Sequence, residues 1–149
     1  MESKPKITIY LDDGVREPRI SVSFKLEGNE FSKEYIWEKL RLEPSRFRKK
    51  VDWPVDSLDL PDEYKPGTTW ELETGYEDCM LVSHQLEKII ERLRGKEATI
   101  NQLCKELNLR IGFSVSIEAD LGYMPAMMLG RESLAFLAKI GADIGFSFY

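Results

Sequence analysis

The chain has 149 residues and a mass of 17.3 kDa, is 42% hydrophobic and 32% charged, and sets 26 acidic groups against 21 basic ones for a net charge of −5. That composition belongs to a folded globular domain and excludes an intrinsically disordered chain; no apolar run reaches the ~18 residues of a membrane helix. The acidic balance also argues against nucleic acid as a partner, because gripping phosphates takes a dominant basic face.

The charge is unevenly placed. Residues 41–50 (RLEPSRFRKK) hold five basic groups and one acid. Residues 51–78 follow with nine acids against Lys65 alone, a local net of −8 that leaves the rest of the chain at +3. All of the negative surplus lies in one stretch. The N-terminus lacks the apolar core and small-residue cleavage site of a secretory signal, which points to a cytoplasmic protein. Cys79 and Cys104 are accordingly read as reduced thiols, with Cys104 as a small residue on the apolar face of a helix.

In chain order, residues 6–11 (KITIYL) and 19–26 (RISVSFKL) alternate apolar and polar positions, the period of a half-buried strand. Ile20, Val22, Phe24 and Leu26 are the expected inward set, and DDGVREP between the two runs is turn material. Ser32 is placed to cap a helix whose expected stripe is Ile36, Trp37 and Leu40, with Phe31 stapling onto Ile36 and Pro44 marking the end. Residues 43–67 contain Pro44, Pro54, Pro61 and Pro66 without clean periodicity; a connection this long in a compact domain is functional or mobile.

A strand follows at 68–74, with Trp70 and Leu72 inward. Two helices come next: Val82, Leu86, Ile89, Ile90 and Leu93 line the first, which stops at Gly95, and Ile100, Leu103, Cys104 and Leu107 line the second. Residues 109–119 alternate most cleanly, Phe113 and Val115 among the inward set, giving one packed and one wet face. Residues 124–129 (MPAMML) suit a short edge strand, since Pro125 bars them from a sheet interior. A helix at 131–140, expected to bury Leu134, Leu137 and Ala138, precedes a closing strand with Ile144, Phe146 and Phe148. The fold class is therefore α+β. We expect an antiparallel sheet with helices mainly on one face, an open sandwich of ferredoxin-like elements with an inserted helix pair. The chain reads as a single domain, 1–149, in which residues 1–18 add a strand and a turn.

Four stretches, FKLEGNEFSKEYIWEKLRLEPSRFRKK, TTWELETG, HQLEKIIERL and PAMMLGRESLAFLAKIGADIGFSFY, are similar in content and spacing to the bacterial family catalogued as domain of unknown function 4279. The resemblance covers residues 19–149. It implies a shared fold and no activity. Small bacterial families of this kind often sit beside toxin genes, and that is what the resemblance adds to a reading as an immunity protein.

Catalytic chemistry finds little support. His84, the single histidine, opens a helix, where solvated or capping histidines are the rule, so no Ser-His-acid or Cys-His relay forms without it. Cys79 and Cys104 have no companion ligands at zinc spacing, and no glycine-rich phosphate loop is present. The expectation is a protein that is not an enzyme and needs no metal or organic cofactor.

Two features stand out. Arg46, Arg48, Lys49 and Lys50 form either a solvated basic turn or a contact for an anion or acidic group. Trp53, between Asp52 and Pro54, is either a loop anchor or an exposed binding residue; Trp70 follows the strand alternation and belongs to the core. The expected function is a non-enzymatic protein-binding module, concretely an immunity protein neutralising a basic toxin, with Arg46, Arg48, Lys49, Lys50, Trp53, Asp56 and Asp59 as the partner surface. The alternative is a small anionic-ligand or sensor domain that uses the basic cluster beside a sheet pocket. The partner is thus another protein, with neither nucleic acid nor membrane involved.

Overall fold

The computed structural model describes residues 17–52, 61, 67–120 and 122–149. The strand expected at 6–11 and the side chains of Trp53, Asp56 and Asp59 lie outside the described residues.

The elements run β1 (Arg19–Gly28), α1 (Lys33–Leu40), β2 (Arg46–Arg48), a 3-10 turn (Lys50–Asp52), β3 (Thr68–Glu73), β4 (Glu77–Asp78), α2 (Val82–Leu93), α3 (Glu97–Leu107), β5 (Arg110–Glu118), α4 (Arg131–Lys139) and β6 (Asp143–Phe148). They form the expected α+β fold around one six-stranded sheet of order β2-β3-β1-β5-β6, with β4 continuing the β3 side of β1. No helix among the described residues is long and apolar enough to cross a membrane.

The central strand is β1, and its alternation decides which face is dry. Ile20, Val22, Phe24 and Leu26 are all fully buried. Phe113 and Val115 on β5 pair directly with Phe24 and Val22, so the same face continues across the strand boundary. Trp70 meets the Phe24 ring edge-on at 6.2 Å, and Phe113 meets it tilted at 5.2 Å, a three-ring cluster in the geometry that aromatic quadrupoles favour. Helix α2 lays Val82, Leu86, Ile89, Ile90 and Leu93 against this face, and α3 adds Ile100 and Leu103. Ser32 caps α1 as expected, its hydroxyl accepting from the Tyr35 N–H at 3.1 Å.

Four expectations are corrected. The sheet is mixed rather than antiparallel, because β6 runs parallel to β5. The chain from β5 to β6 returns through α4, and a crossover helix is what brings two strands into parallel register. In α1 only Ile36 and Leu40 are buried, whereas Trp37 is 40% exposed beneath the Arg41 guanidinium. In α4 the buried stripe is Ser133, Phe136, Leu137 and Ile140, which leaves Leu134 and Ala138 exposed. Ile140 and Phe136 offer more apolar area than Leu134 and Ala138, so the helix turns to that phase. Finally, residues 124–129 make no strand. They contribute one isolated bridge, in which Ala126 N–H donates to Met80 O at 2.7 Å and Ala126 O accepts from Val82 N–H at 3.1 Å. That second bond satisfies the first N–H of α2, whose N-cap Leu81 has no side-chain acceptor to offer.

One hydrogen-bond cluster closes a gap in the sheet. Between the ends of β3 and β4, β1 has no strand partner at Val22, and Thr74 fills the place: its N–H donates to Val22 O at 2.9 Å and its hydroxyl accepts from Val22 N–H at 3.0 Å. Gln85, 1% exposed on α2, donates from Nε2 to Ile20 O at 2.9 Å and to the Thr74 hydroxyl at 3.3 Å. A buried amide thus ties the first turn of α2 to the central strand.

Candidate functional site

Of the seven residues expected to form a partner surface, the four basic ones are described, and three different constraints position them. Strand β2 alternates: Phe47 turns inward and meets the Phe31 ring edge-on at 5.9 Å, while Arg46 and Arg48 project outward. The Ser45 hydroxyl accepts from the Glu73 N–H at 3.0 Å, and Ser45 N–H donates to Glu71 O at 2.7 Å, which fixes the start of the strand. After Arg48 the chain turns, with Lys49 N–H donating to the Asp52 carboxylate at 3.1 Å and Asp52 N–H to Lys49 O at 2.9 Å.

Lys50 is anchored rather than displayed. Its ammonium donates to Asn29 Oδ1 at 2.9 Å and its N–H to the Thr68 hydroxyl at 3.2 Å. Arg46 comes within 3.9 Å of the Glu73 carboxylate while its side chain stays 60% exposed, a geometry worth little in water. The basic run is thus an edge strand with its arginines on one side, followed by a turn with one lysine exposed and one tied down.

Those arginines border the second feature, the face of the sheet opposite the core. Pairing registers carry rows straight across it. Ser21, Ser116 and Ser147 form one row, and Ser23, Ser114 and Gly145 the next. A third row runs Arg46, Glu71, Lys25, Gly112 and Asp143, with Lys25 and Glu71 paired at 3.6 Å. Glu27 and Arg110 pair at the end of the sheet beyond it. Ser114, Gly145 and Ser147 are exposed and the neighbouring small residues half-buried, so this face is open over β5 and β6, whereas toward β2 Thr69 is 4% exposed and the Glu71 side chain largely covered. It is a flat field of hydroxyls and backbone framed by charge pairs. The alternation of the sequence puts these serines between the apolar positions of their strands, but nothing in spacing alone marks a wet face as a site. The available signal was their size: both central strands carry serine where long polar side chains are also accommodated.

A shallow cleft of about 140 Å³ sits at the other end of β1, between Glu17, Arg19, Glu118, Ala119, Asp120 and Tyr149. Arg19 pairs with Glu118 at 3.3 Å and lies 5.4 Å from the Tyr76 ring centre, so the cleft's cation is engaged on two sides. None of the four basic residues of the β2 edge reaches it.

The reactive side chains are dispersed. Cys79 and Cys104 are free thiols, and burial pushes the Cys104 thiol up to about 11, so it is protonated at neutral pH. His84 lies in the first turn of α2, its N–H donating to Leu81 O at 3.2 Å. Among the described residues no three His, Cys, Asp or Glu side chains are grouped so as to hold a metal ion. What the described residues present chemically is polar surface. No curated protein and no solved structure matches the chain. Over residues 18–149 it matches the family described as Domain of unknown function (DUF4279), and the chain belongs to that family.

Proposed function

We propose that this protein is a non-enzymatic protein-binding module, an immunity protein that neutralises a basic toxin being the concrete case. The observation that carries the reading is the wet face of the sheet, whose serine and glycine rows on β1, β5 and β6 leave a second backbone room to approach and whose border holds Arg46 and Arg48 beside Glu71 and Glu73. A flat surface with charges of both signs at its margin suits a protein partner, where rim charges set orientation and encounter rate. The negative surplus that the sequence concentrates in residues 51–78 has the sign that attracts a basic partner. The alternative of an anionic-ligand sensor has less support, because Lys50 is committed to Asn29 and the cleft lies at the far end of β1.

The test is affinity capture from native lysate with the parent chain, an Asp56→Lys/Asp59→Lys variant and a Ser23→Lys/Ser114→Lys variant, each checked for an unchanged unfolding temperature. A specific protein retained by the parent and lost from both variants supports the surface. The same protein retained by both variants at parental yield refutes it.

A further inference from the structure

We infer that the protein associates with a second copy of itself through the free edge of β6, extending one sheet across a two-fold axis. Strand β6 ends the sheet, and among the described residues only β5 pairs with it. The direction of its unused hydrogen-bonding groups follows from one bond. Tyr149 N–H donates to Ile117 O at 2.9 Å, and Ile117 is level with Phe148. In a parallel pair that arrangement turns the odd-numbered residues of β6 toward β5. The N–H and C=O of Ile144, Phe146 and Phe148 therefore point outward.

The two edges of this sheet are chemically opposite. Strand β2 is three residues long and flanks Phe47 with Arg46 and Arg48, the short, charged edge by which proteins block unwanted pairing. Strand β6 reads DIGFSF over six residues, with no lysine, arginine or proline, and its register with β5 advances residue for residue without a bulge. Among the described residues every usual device against edge pairing is missing, apart from Asp143 at the first position. The core also runs out at this edge. Phe113, Val115 and Ile117 are almost wholly buried on β5, but Ile144 and Phe146 on β6 are only half-buried, and Phe148 is 53% exposed.

This edge is complementary to itself. Antiparallel pairing centred on Phe146 opposite Phe146 of the second copy sets Ile144 against Phe148, so each outward-facing residue exchanges both of its backbone bonds. On the dry side the register buries apolar against apolar. On the open side it sets Gly145 against Ser147 and Asp143 against Tyr149, so no like-charged side chains meet. The axis stands perpendicular to the sheet, which keeps both helical layers on one side and makes the interface isologous.

The test is sedimentation velocity on the full chain across a micromolar concentration series, with residue-resolved amide exchange on the same samples. The inference expects a dimer in which the Ile144, Phe146 and Phe148 amides are protected and lose protection on dilution. The variant Phe148→Pro removes an N–H that makes no bond to β5, so it should stay folded by circular dichroism and sediment as a monomer. If that variant unfolds, the parental exchange pattern still decides. A monomer at every concentration overturns the inference, whether its three amides are open or are protected by another part of its own chain. A dimer in which they exchange freely also overturns it, because that dimer uses another surface.

Discussion

Replacing Phe113 by Ala tests the core assignment most directly. The residue is 2% exposed at the middle of β5, pairs with Phe24 across the strand boundary and holds its ring 5.2 Å from the Phe24 ring. Burying a phenylalanine removes about 150–250 Å² from water, and at about 25 cal/mol per Å² the lost ring forfeits most of that stabilisation. The neighbours on both sides are sheet residues whose backbone is fixed by ladders, so the cavity cannot collapse fully. The expected cost is about 3–5 kcal/mol, the range observed for aromatic truncation in packed cores. For a chain of this length that lowers the unfolding temperature by on the order of 6–20 °C. Chemical denaturation with an unchanged slope gives the free energy, and thermal unfolding checks it. A loss under about 1 kcal/mol would mean that this strand face is not the centre of the core.

Truncating Trp37 should behave in the opposite way. With 40% of the residue in water and its ring under Arg41, Trp37→Ala is expected to cost no more than about 1 kcal/mol in the same denaturation assay. Gln85→Ala removes two hydrogen bonds from a buried amide and should cost about 1–3 kcal/mol, with amide exchange rising at Val22 and Thr74 before it rises elsewhere. Gly67→Ala should also destabilise, by roughly 1–3 kcal/mol, because a Cβ at Gly67 would lie 2.1 Å from Gly28 O, a backbone atom that cannot swing aside. The folded-state pKa of Cys104, raised by burial to about 11 from an ordinary 9.0, means that folding favours the protonated thiol. Its contribution is therefore constant below pH 9 and declines as pH rises toward 11, and Cys104→Ser should flatten that decline in a pH series of unfolding temperatures.

The parts of the fold legible in the sequence are those where one periodicity had no competitor. In β1 and β5 every second residue is apolar over nine or ten positions, and all the inward residues named for β1 are buried. Helix α2 reads as clearly, since five of its large apolar residues fall on one stripe. Errors arose where two phases of a helix were both apolar. In α4 the sequence LAFLAKI permits a stripe through Leu134, Leu137 and Ala138 or one through Phe136, Leu137 and Ile140. Only the position of the strands beneath the helix selects the second. In α1, Trp37 sits one step off the line from Ile36 to Leu40, and an eight-residue helix is too short for the pattern to expose the difference. Strand direction was illegible for another reason. One-sided alternation reports which face is wet, whereas β6 became parallel because α4 carries the chain back before it.

The candidate surface was legible in the same uneven way. The basic run could be located from composition, but its division of labour could not, because Lys50 reaches Asn29 across a turn that joins segments 21 residues apart. What composition did hold was a contrast between the two ends of the sheet. One end strand is short and carries two arginines around a phenylalanine; the other is twice as long and carries one carboxylate at its start. Both are edges by topology, so the backbone alone gives each the same capacity to pair. The side chains make one edge a place where pairing is discouraged and a charged rim is offered, and the other a place where Asp143 alone among its side chains opposes pairing. A partner seated on the serine and glycine rows with its charged rim at β2, and a second copy paired to the outer edge of β6, would then use a face and an edge of one sheet. Asp56→Lys/Asp59→Lys should accordingly leave sedimentation unchanged, and Phe148→Pro should leave partner capture unchanged. If either variant alters both readouts, the two surfaces are one.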